Sequence, residues 1–417
     1  MNNRKNSIMI NGFILLVLNV IASVLNYLCQ ILMARGLDVV AFGTINTIFS
    51  FLLIIGVPGT TLTMVSSKYI AGDIECKNGE NSLNFCNNMT WLITLASIAV
   101  FFLCVLIKNP LRSFLKIDNY ILMFLSFIVI SLSFYYPFYS GIFSGLKKFY
   151  FLGTYSLLIP IYKLIGIFLS GNFTNSMTMR LVIILLSIAV GSVISSVIGS
   201  YYSKIILGRY KQNINCKNGW IEEIDFINPL IINACLTFYL NIDLLAVRYL
   251  GGSELSGYYS SIVLFGRIIY YLATTFGTIL LPYAASKGNA SIGLLNKTII
   301  IILLVSIVGF IPINIFGEHL ILLLYGMEYT PAIDYLKYIS IISTAVGILT
   351  VLINFMIGIG DFGLVKKVLI MLVIVITSSI LLGVQVKMIL SIIGMSGLIC
   401  CFLIYINLIF KIAKKNA

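Results

Sequence analysis

NACLTFYLNIDLLAVRYLGGSELSGYYSSIVLFGRIIYYLATTFGT, residues 233–278, places polar and charged side chains inside runs apolar enough to cross a bilayer. It divides into two membrane helices joined by the turn from Gly251 to Ser256. The first carries Asn233, Thr237 and Asn241 at i, i+4 and i+8, with Arg248 on the same side, which makes one polar stripe. The second carries Ser260, Arg267, Tyr271, Thr274 and Thr278 within an arc of roughly 60° at about 100° per residue. That depth puts Arg267 about 12 Å below the membrane interface. An arginine there costs at least ~2.5 kcal/mol by insertion scales, so it is expected to face protein or a water-filled cavity, not lipid.

The whole chain extends this reading. With 60% hydrophobic residues, 10% charged residues and a mean hydropathy of +1.06, it belongs mostly in a bilayer. The net charge of +13 is spread thinly between apolar runs and forms no basic face, so no nucleic-acid partner is expected. Of the eight cysteines, Cys29, Cys104, Cys235, Cys400 and Cys401 lie inside apolar segments and read as packing residues. The first apolar run, 8–34, is too long for a signal peptide and is expected to stay as the first span.

Runs of membrane-crossing length number twelve: 8–34, 41–70, 87–107, 119–145, 150–170, 180–205, 226–250, 256–285, 294–316, 331–358, 364–383 and 387–410. With a cytoplasmic N-terminus, seventeen of the 27 Lys and Arg residues fall in inside segments and eight outside, while Lys163 and Arg267 stay in the membrane. This predicts a multi-pass protein of the bacterial cytoplasmic membrane with both termini cytoplasmic. The cluster from Lys108 to Lys116, placed outside, goes against the charge rule.

The longest polar connection, GRYKQNINCKNGWIEE at 208–223, follows the sixth span. The predicted architecture is therefore all-α and polytopic: a six-helix bundle over 1–207, a cytoplasmic linker over 208–224 and a second six-helix bundle over 225–417. The bundles would be related by a pseudo-twofold axis along the membrane normal. A weak internal repeat supports this, since ILMARGLDVVAFGTINTIFSF pairs with LLAVRYLGGSELSGYYSSIVLF. The first helix also has a stripe of its own, Asn19, Ser23, Asn26 and Gln30. Two polar faces are what two bundles enclosing one cavity would present.

ILMARGLDVVAFGTINTIFSFLLIIGVPG near the start, FYSGIFSGLKKF at 138–149, DLLAVRYLGGSELSGYYSSIVLFGRIIYYLATTFGTILLPYAAS in the middle and LLLYGMEYTPAIDYLKYISI later resemble the oligosaccharide flippase family. That family belongs to the multidrug/oligosaccharidyl-lipid/polysaccharide exporter superfamily, and the similarity runs over nearly the whole chain. The resemblance implies a flippase that moves an undecaprenyl-diphosphate-linked oligosaccharide repeat unit by alternating access, for O-antigen, capsule or related polysaccharide synthesis. It implies two six-helix bundles around a cationic cavity, and through the middle motif it carries the substrate role to Arg248 and Arg267. The implied partners are the lipid-linked oligosaccharide, membrane lipids, and a polysaccharide polymerase with other synthesis proteins.

Each site residue also has a plainer reading. Arg267 is either a cavity cation or one half of a structural pair with Asp243, since buried charges are normally paired. Lys163, three residues after Pro160, is assigned to the cavity on physical grounds alone, and its alternative is to snorkel outward. Asp243 has a second reading as a coupling carboxylate, and Arg248 as a solvated helix end. The Asn, Ser and Thr stripes have an alternative as interhelical hydrogen-bonding glue. His319, the single histidine, falls in a predicted outside loop.

No phosphate-binding loop, metal-ligand spacing or nucleophile with a nearby histidine is present in the sequence, so neither enzyme activity nor a cofactor is expected. The competing functions are a cation-coupled multidrug exporter of the same superfamily, which would want an acidic cavity, and a non-transporting membrane subunit of a polysaccharide synthesis complex, which needs no polar lumen.

Overall fold

The computed structural model describes residues 2–75, 79–208, 227–287, 292–359 and 363–416. Side chains are described at 14–71 except 16, at 82–208, at 227–267 except 229, at 270, 273 and 293, at 295–356 except 312 and 314, and at 363 and 365–410. Among these residues every regular element is helical. The α-helices are α1 (Asn2–Gly36), α2 (Val39–Ile55), α3 (Val57–Glu75), α4 (Gly79–Leu106), α5 (Lys108–Leu115), α6 (Tyr120–Leu132), α7 (Tyr135–Gly145), α8 (Phe149–Phe173), α9 (Met177–Gly208), α10 (Ile227–Lys287), α11 (Ile292–Leu324), α12 (Leu336–Ile359), α13 (Gly363–Leu381) and α14 (Val386–Asn416). A 3-10 segment, Met327–Tyr335, precedes α12.

Eight helices among the described residues are long and apolar enough to cross a membrane, and ten if each of two bent pairs is one span. The bent pairs are Val39–Ile55 with Val57–Ala71, at 46°, and Leu295–Ile311 with Ile315–Leu324, at 72°. The twelve spans expected from the sequence also count α13 and divide α10 in two. That helix is nominally continuous over 61 residues, but Gly252 sits at φ 90° and ψ −171°. Only glycine is at ease in that region. Arg267 Nη2 lies 3.5 Å from Asn241 Oδ1 although 26 residues separate them. A straight helix would hold those residues about 39 Å apart at about 1.5 Å per residue. The chain therefore doubles back at Gly252, and residues 227–251 and 253–287 form an antiparallel hairpin. Gly252→Ala is expected to destabilise the protein by about 1–3 kcal/mol, read as a lower midpoint of thermal unfolding in detergent.

The helices fall into two compact units, Met1–Asp38 with Ile55–Phe226, and Val39–Ile54 with Ile227–Ala417. In the first, α1 packs on α8, α8 and α6 on α9, and α3 on α7. The α3–α7 contact is tight because FYSGIFSG presents Gly141 and Gly145 one turn apart. A Cβ on Gly141 would meet the Thr63 carbonyl at 2.5 Å, and one on Gly145 the Ser67 carbonyl at 2.6 Å. In the second unit, α10 and α14 pack on α12, and α13 packs on α14 and α10. This partition differs from the sequence division at 208–224 by one helix, since most of α2 groups with residues 227–417. The linker beyond Gly208 lies outside the described residues.

α11 also runs further than the predicted ninth span. It continues past its bend to Leu324, so His319 is an exposed helical residue and not a loop residue. Helix is continued there by the run HLILLL, whose strong helix formers outweigh the charge at Glu318.

Candidate functional site

The α10 hairpin holds the buried charged residues found among the described side chains. Its first arm supplies Asn241, Asp243 and Arg248, and its second supplies Ser256, Tyr259, Ser260 and Arg267. Asp243 is 2% exposed and Arg248 1%. Burial of such groups is tolerated only when their polar atoms find partners. Asp243 Oδ2 accepts a hydrogen bond from the Tyr259 hydroxyl at 2.9 Å, and Oδ1 accepts one from the Leu244 backbone N–H at 2.8 Å. Arg248 donates from Nη1 to Ser256 Oγ at 3.2 Å and from Nη2 to Thr44 Oγ1 of α2 at 3.1 Å. Arg248 is thus no solvated helix end. It joins both arms of the hairpin to α2.

Arg267 is half-buried, and Asp243 and Arg267 close no ion pair. The guanidinium donates to Asn241 Oδ1 at 3.5 Å and stays within electrostatic reach of the carboxylate. Asp243, Arg267, Tyr270 and Ser343 line a cavity of about 20 Å³ against α12. That volume holds about one water molecule. The arrangement keeps a buried acid and a cation side by side without a closed ion pair: the carboxylate is held by Tyr259 and Leu244, and the guanidinium by the longer contact with Asn241.

Other members of the two hairpin stripes serve the helix itself. Asn241 Nδ2 donates to the Thr237 carbonyl and Ser260 Oγ to the Ser256 carbonyl. Asn233 is half-buried. The side chains of Tyr271, Thr274 and Thr278 lie outside the described residues.

In the first unit, α1 and α8 bring the other predicted group together. Ser156 Oγ donates to Asn19 Oδ1 at 3.2 Å, and Cys29 Sγ to the Pro160 carbonyl at 3.5 Å. Lys163, half-buried one turn beyond Pro160, lies within electrostatic reach of Cys29. Asn19 and Ser23 are exposed, Asn26 is half-buried and Gln30 is buried. Ser23 Oγ and Asn26 Nδ2 donate to the carbonyls of Asn19 and Ala22 in their own helix. Gln30 Oε1 is buried with no hydrogen-bond partner among the described residues. Among those residues no three His, Cys, Asp or Glu side chains gather as a metal site.

Reading by residue type missed three members of the buried network, Tyr259, Ser256, which was read only as the end of the turn, and Thr44. Tyr259 had a signal: counted from Gly252 it is seven residues on and Asp243 nine residues back, so an antiparallel hairpin brings them level. Thr44 had none, because its neighbour is 204 residues away.

No protein-family model matches the chain, and no curated protein sequence matches it. Solved structures do. A multidrug resistance transporter of the MATE family in the MOP superfamily, inward-facing, superposes with a TM-score of 0.73 at 12% identity over 94% of each chain. The lipid II flippase MurJ in an inward closed conformation gives 0.69 at 15% identity, covering 95% of this chain and 87% of that one. A MOP superfamily transporter from Pyrococcus furiosus, described as having a binding pocket of reverse polarity, gives 0.66 at 12% identity over 98% and 96%. At such identities the likeness carries fold and not substrate. The chain has the fold of these transporters, an all-helical membrane architecture of twelve helices in two lobes.

Proposed function

We propose that the protein is a flippase for an undecaprenyl-diphosphate-linked oligosaccharide, moving it across the bacterial cytoplasmic membrane by alternating access for cell-surface polysaccharide synthesis. The observation that carries this reading is the charge balance of the apolar spans. Lys163 and Arg267 stand there against Asp243, and both oxygens of Asp243 are already engaged. An excess of cations in a low-dielectric region suits a diphosphate. Arg267 and Lys163 are assigned to the anionic head group. Arg248, held by Thr44 and Ser256, is assigned to it only when α2 and α10 part. The polar side chains of α1 and of the hairpin offer hydrogen bonds to sugar hydroxyls. The fold shared with a lipid II flippase supports the reading. The proposed partners are the lipid-linked substrate, membrane lipids, a polysaccharide polymerase and other synthesis proteins. The proposed halves are 1–207 and 225–417.

The test is complementation of a flippase-deficient strain. Arg267→Ala and Lys163→Ala are each expected to lower polysaccharide export about tenfold, as the loss of one charge-assisted contact of about 1.4 kcal/mol would do, with membrane levels of the protein unchanged. Unchanged export in both variants overturns the cationic site. A cation-coupled multidrug exporter is the second reading, favoured by the buried Asp243 and by the likeness to a multidrug resistance transporter. It requires efflux of an organic cation such as ethidium that is lost in Asp243→Asn, and polysaccharide export that is indifferent to the protein.

A further inference from the structure

Helix α5 serves neither polar cluster. It is eight residues long and is seated by Leu111 and Leu115, both buried, with Ile117 buried just beyond it. Leu106 and Ile107 before it, and Tyr120 and Ile121 after it, are exposed. In a chain that spans the membrane, exposed apolar side chains stand in hydrocarbon, and Tyr marks the level where hydrocarbon meets headgroups. The segment between them is fixed at that level.

The segment is basic. Lys108 and Arg112 lie one turn apart and border the buried leucines, and Lys116 follows at the end of the helix. The single acid between 106 and 121 is Asp118, 3.5 Å from Arg112. Arg112 also donates from Nη1 to the Tyr120 hydroxyl at 2.7 Å and lies 4.7 Å from the centre of that ring. These contacts hold the guanidinium in place and use one N–H on each Nη. Its Nε–H, with no partner among the described residues, remains for a bidentate contact with an anion. Lys108 makes no hydrogen bond or ion pair among the described residues.

The backbone at Lys116 is a second, independent observation. Its φ and ψ are both 49°, the left-handed conformation in which a helix usually ends on glycine or asparagine. A residue with a Cβ is strained there by roughly 1–2 kcal/mol. The position therefore carries a cation where backbone geometry alone favours glycine.

We propose that α5 is an interfacial docking site for the headgroup phosphate of an anionic phospholipid, bound by Lys108, Arg112 and Lys116. The site is independent of the proposed flippase activity. It gives a physical reason for three cations so close together at an interface: one acid, Asp118, stands beside them, and lipid phosphates would offset the remaining charge.

The experiment uses the full-length protein in mild detergent, supplied with phosphatidylcholine alone or with phosphatidylglycerol added, and retained lipid is counted by native mass spectrometry. The wild type is expected to retain phosphatidylglycerol in preference to phosphatidylcholine, with retention falling about fivefold for each cation removed in Lys108→Gln and Lys108→Gln/Arg112→Gln. Lys116→Gly separates binding from folding: it is expected to lower phosphatidylglycerol retention while raising or preserving the thermal midpoint, because it relieves the left-handed strain. Wild-type retention in Lys108→Gln/Arg112→Gln overturns the proposal. So does an equal loss in the charge-matched variant Lys297→Gln/Lys367→Gln, whose two lysines are exposed elsewhere.

Discussion

Gly257→Ala is expected to destabilise the protein by roughly 3–5 kcal/mol, the sum of overpacking and of a disrupted buried hydrogen bond to a charged group. A Cβ on Gly257 would stand 2.0 Å from the Val39 carbonyl oxygen, and one on Gly43 would stand 2.5 Å from the Gly257 backbone nitrogen. Both obstacles are backbone atoms, which cannot rotate away as a side chain would. Helix α2 would have to retreat from the second arm of α10, and Thr44 would retreat with it from Arg248. That leaves a guanidinium buried with one partner fewer, the costly outcome for a charged donor. Gly43→Ala is expected to have a similar effect, and the double variant to fall well short of the sum, because both substitutions spoil one contact. Gly171→Ala, where a Cβ would meet nothing within 4 Å, serves as the control. Thermal unfolding in detergent reads the series, and a wild-type midpoint for Gly257→Ala would show that α2 is not seated against α10.

How far the chain discloses this in advance depends on the range of each interaction. Span number and helical class follow from local hydropathy, and Gly251-Gly252 announces a turn because few other residues tolerate the backbone it needs. The hairpin is therefore readable from one stretch. Within it, stripe periodicity locates Asn241, Arg248 and Arg267 and residue type alone picks out Asp243, but periodicity says which face a residue takes and not which atom it meets. Asp243 and Arg267 look complementary by charge. From Gly252, however, they stand nine residues back and fifteen on, a stagger of about 9 Å along antiparallel helices. The long arginine side chain reaches Asn241, eleven back, while the carboxylate finds Tyr259. Counting from the turn would have ruled out the level pairing. The association of α2 with α10 could not be counted in this way. It depends on Gly43 and Gly257 being small at the same place, a coincidence visible only once the two helices lie together. The stripe on α1 shows the opposite limit: its spacing is that of a helical face, yet Ser23 and Asn26 satisfy themselves on their own backbone, as Ser and Asn in apolar helices readily do.

Asp243 sets the remaining large expectation, since two geometries predict different variants. If its partners are the Tyr259 hydroxyl and the Leu244 N–H, Asp243→Ala strands both donors in a buried site and removes the negative charge nearest Arg267. A loss of about 3–5 kcal/mol is expected, as for breaking a buried charged network. Tyr259→Phe removes one charge-assisted hydrogen bond, and a loss of about 1.5–3 kcal/mol is expected. Because the two side chains touch, the double variant Asp243→Ala/Tyr259→Phe should cost less than the sum of the singles. Arg267→Met keeps both acceptor contacts of the carboxylate and the apolar stem of the side chain, so its stability is expected to fall by less than about 1.5 kcal/mol while export falls with the other cation variants. A closed Asp243–Arg267 pair would reverse the order: Arg267→Met would then destabilise as much as Asp243→Ala, and Tyr259→Phe would be nearly silent. Unfolding midpoints of the four variants, measured beside export, therefore separate a carboxylate held by a tyrosine from one held by an arginine. Only the first arrangement leaves the arginine for an anionic substrate.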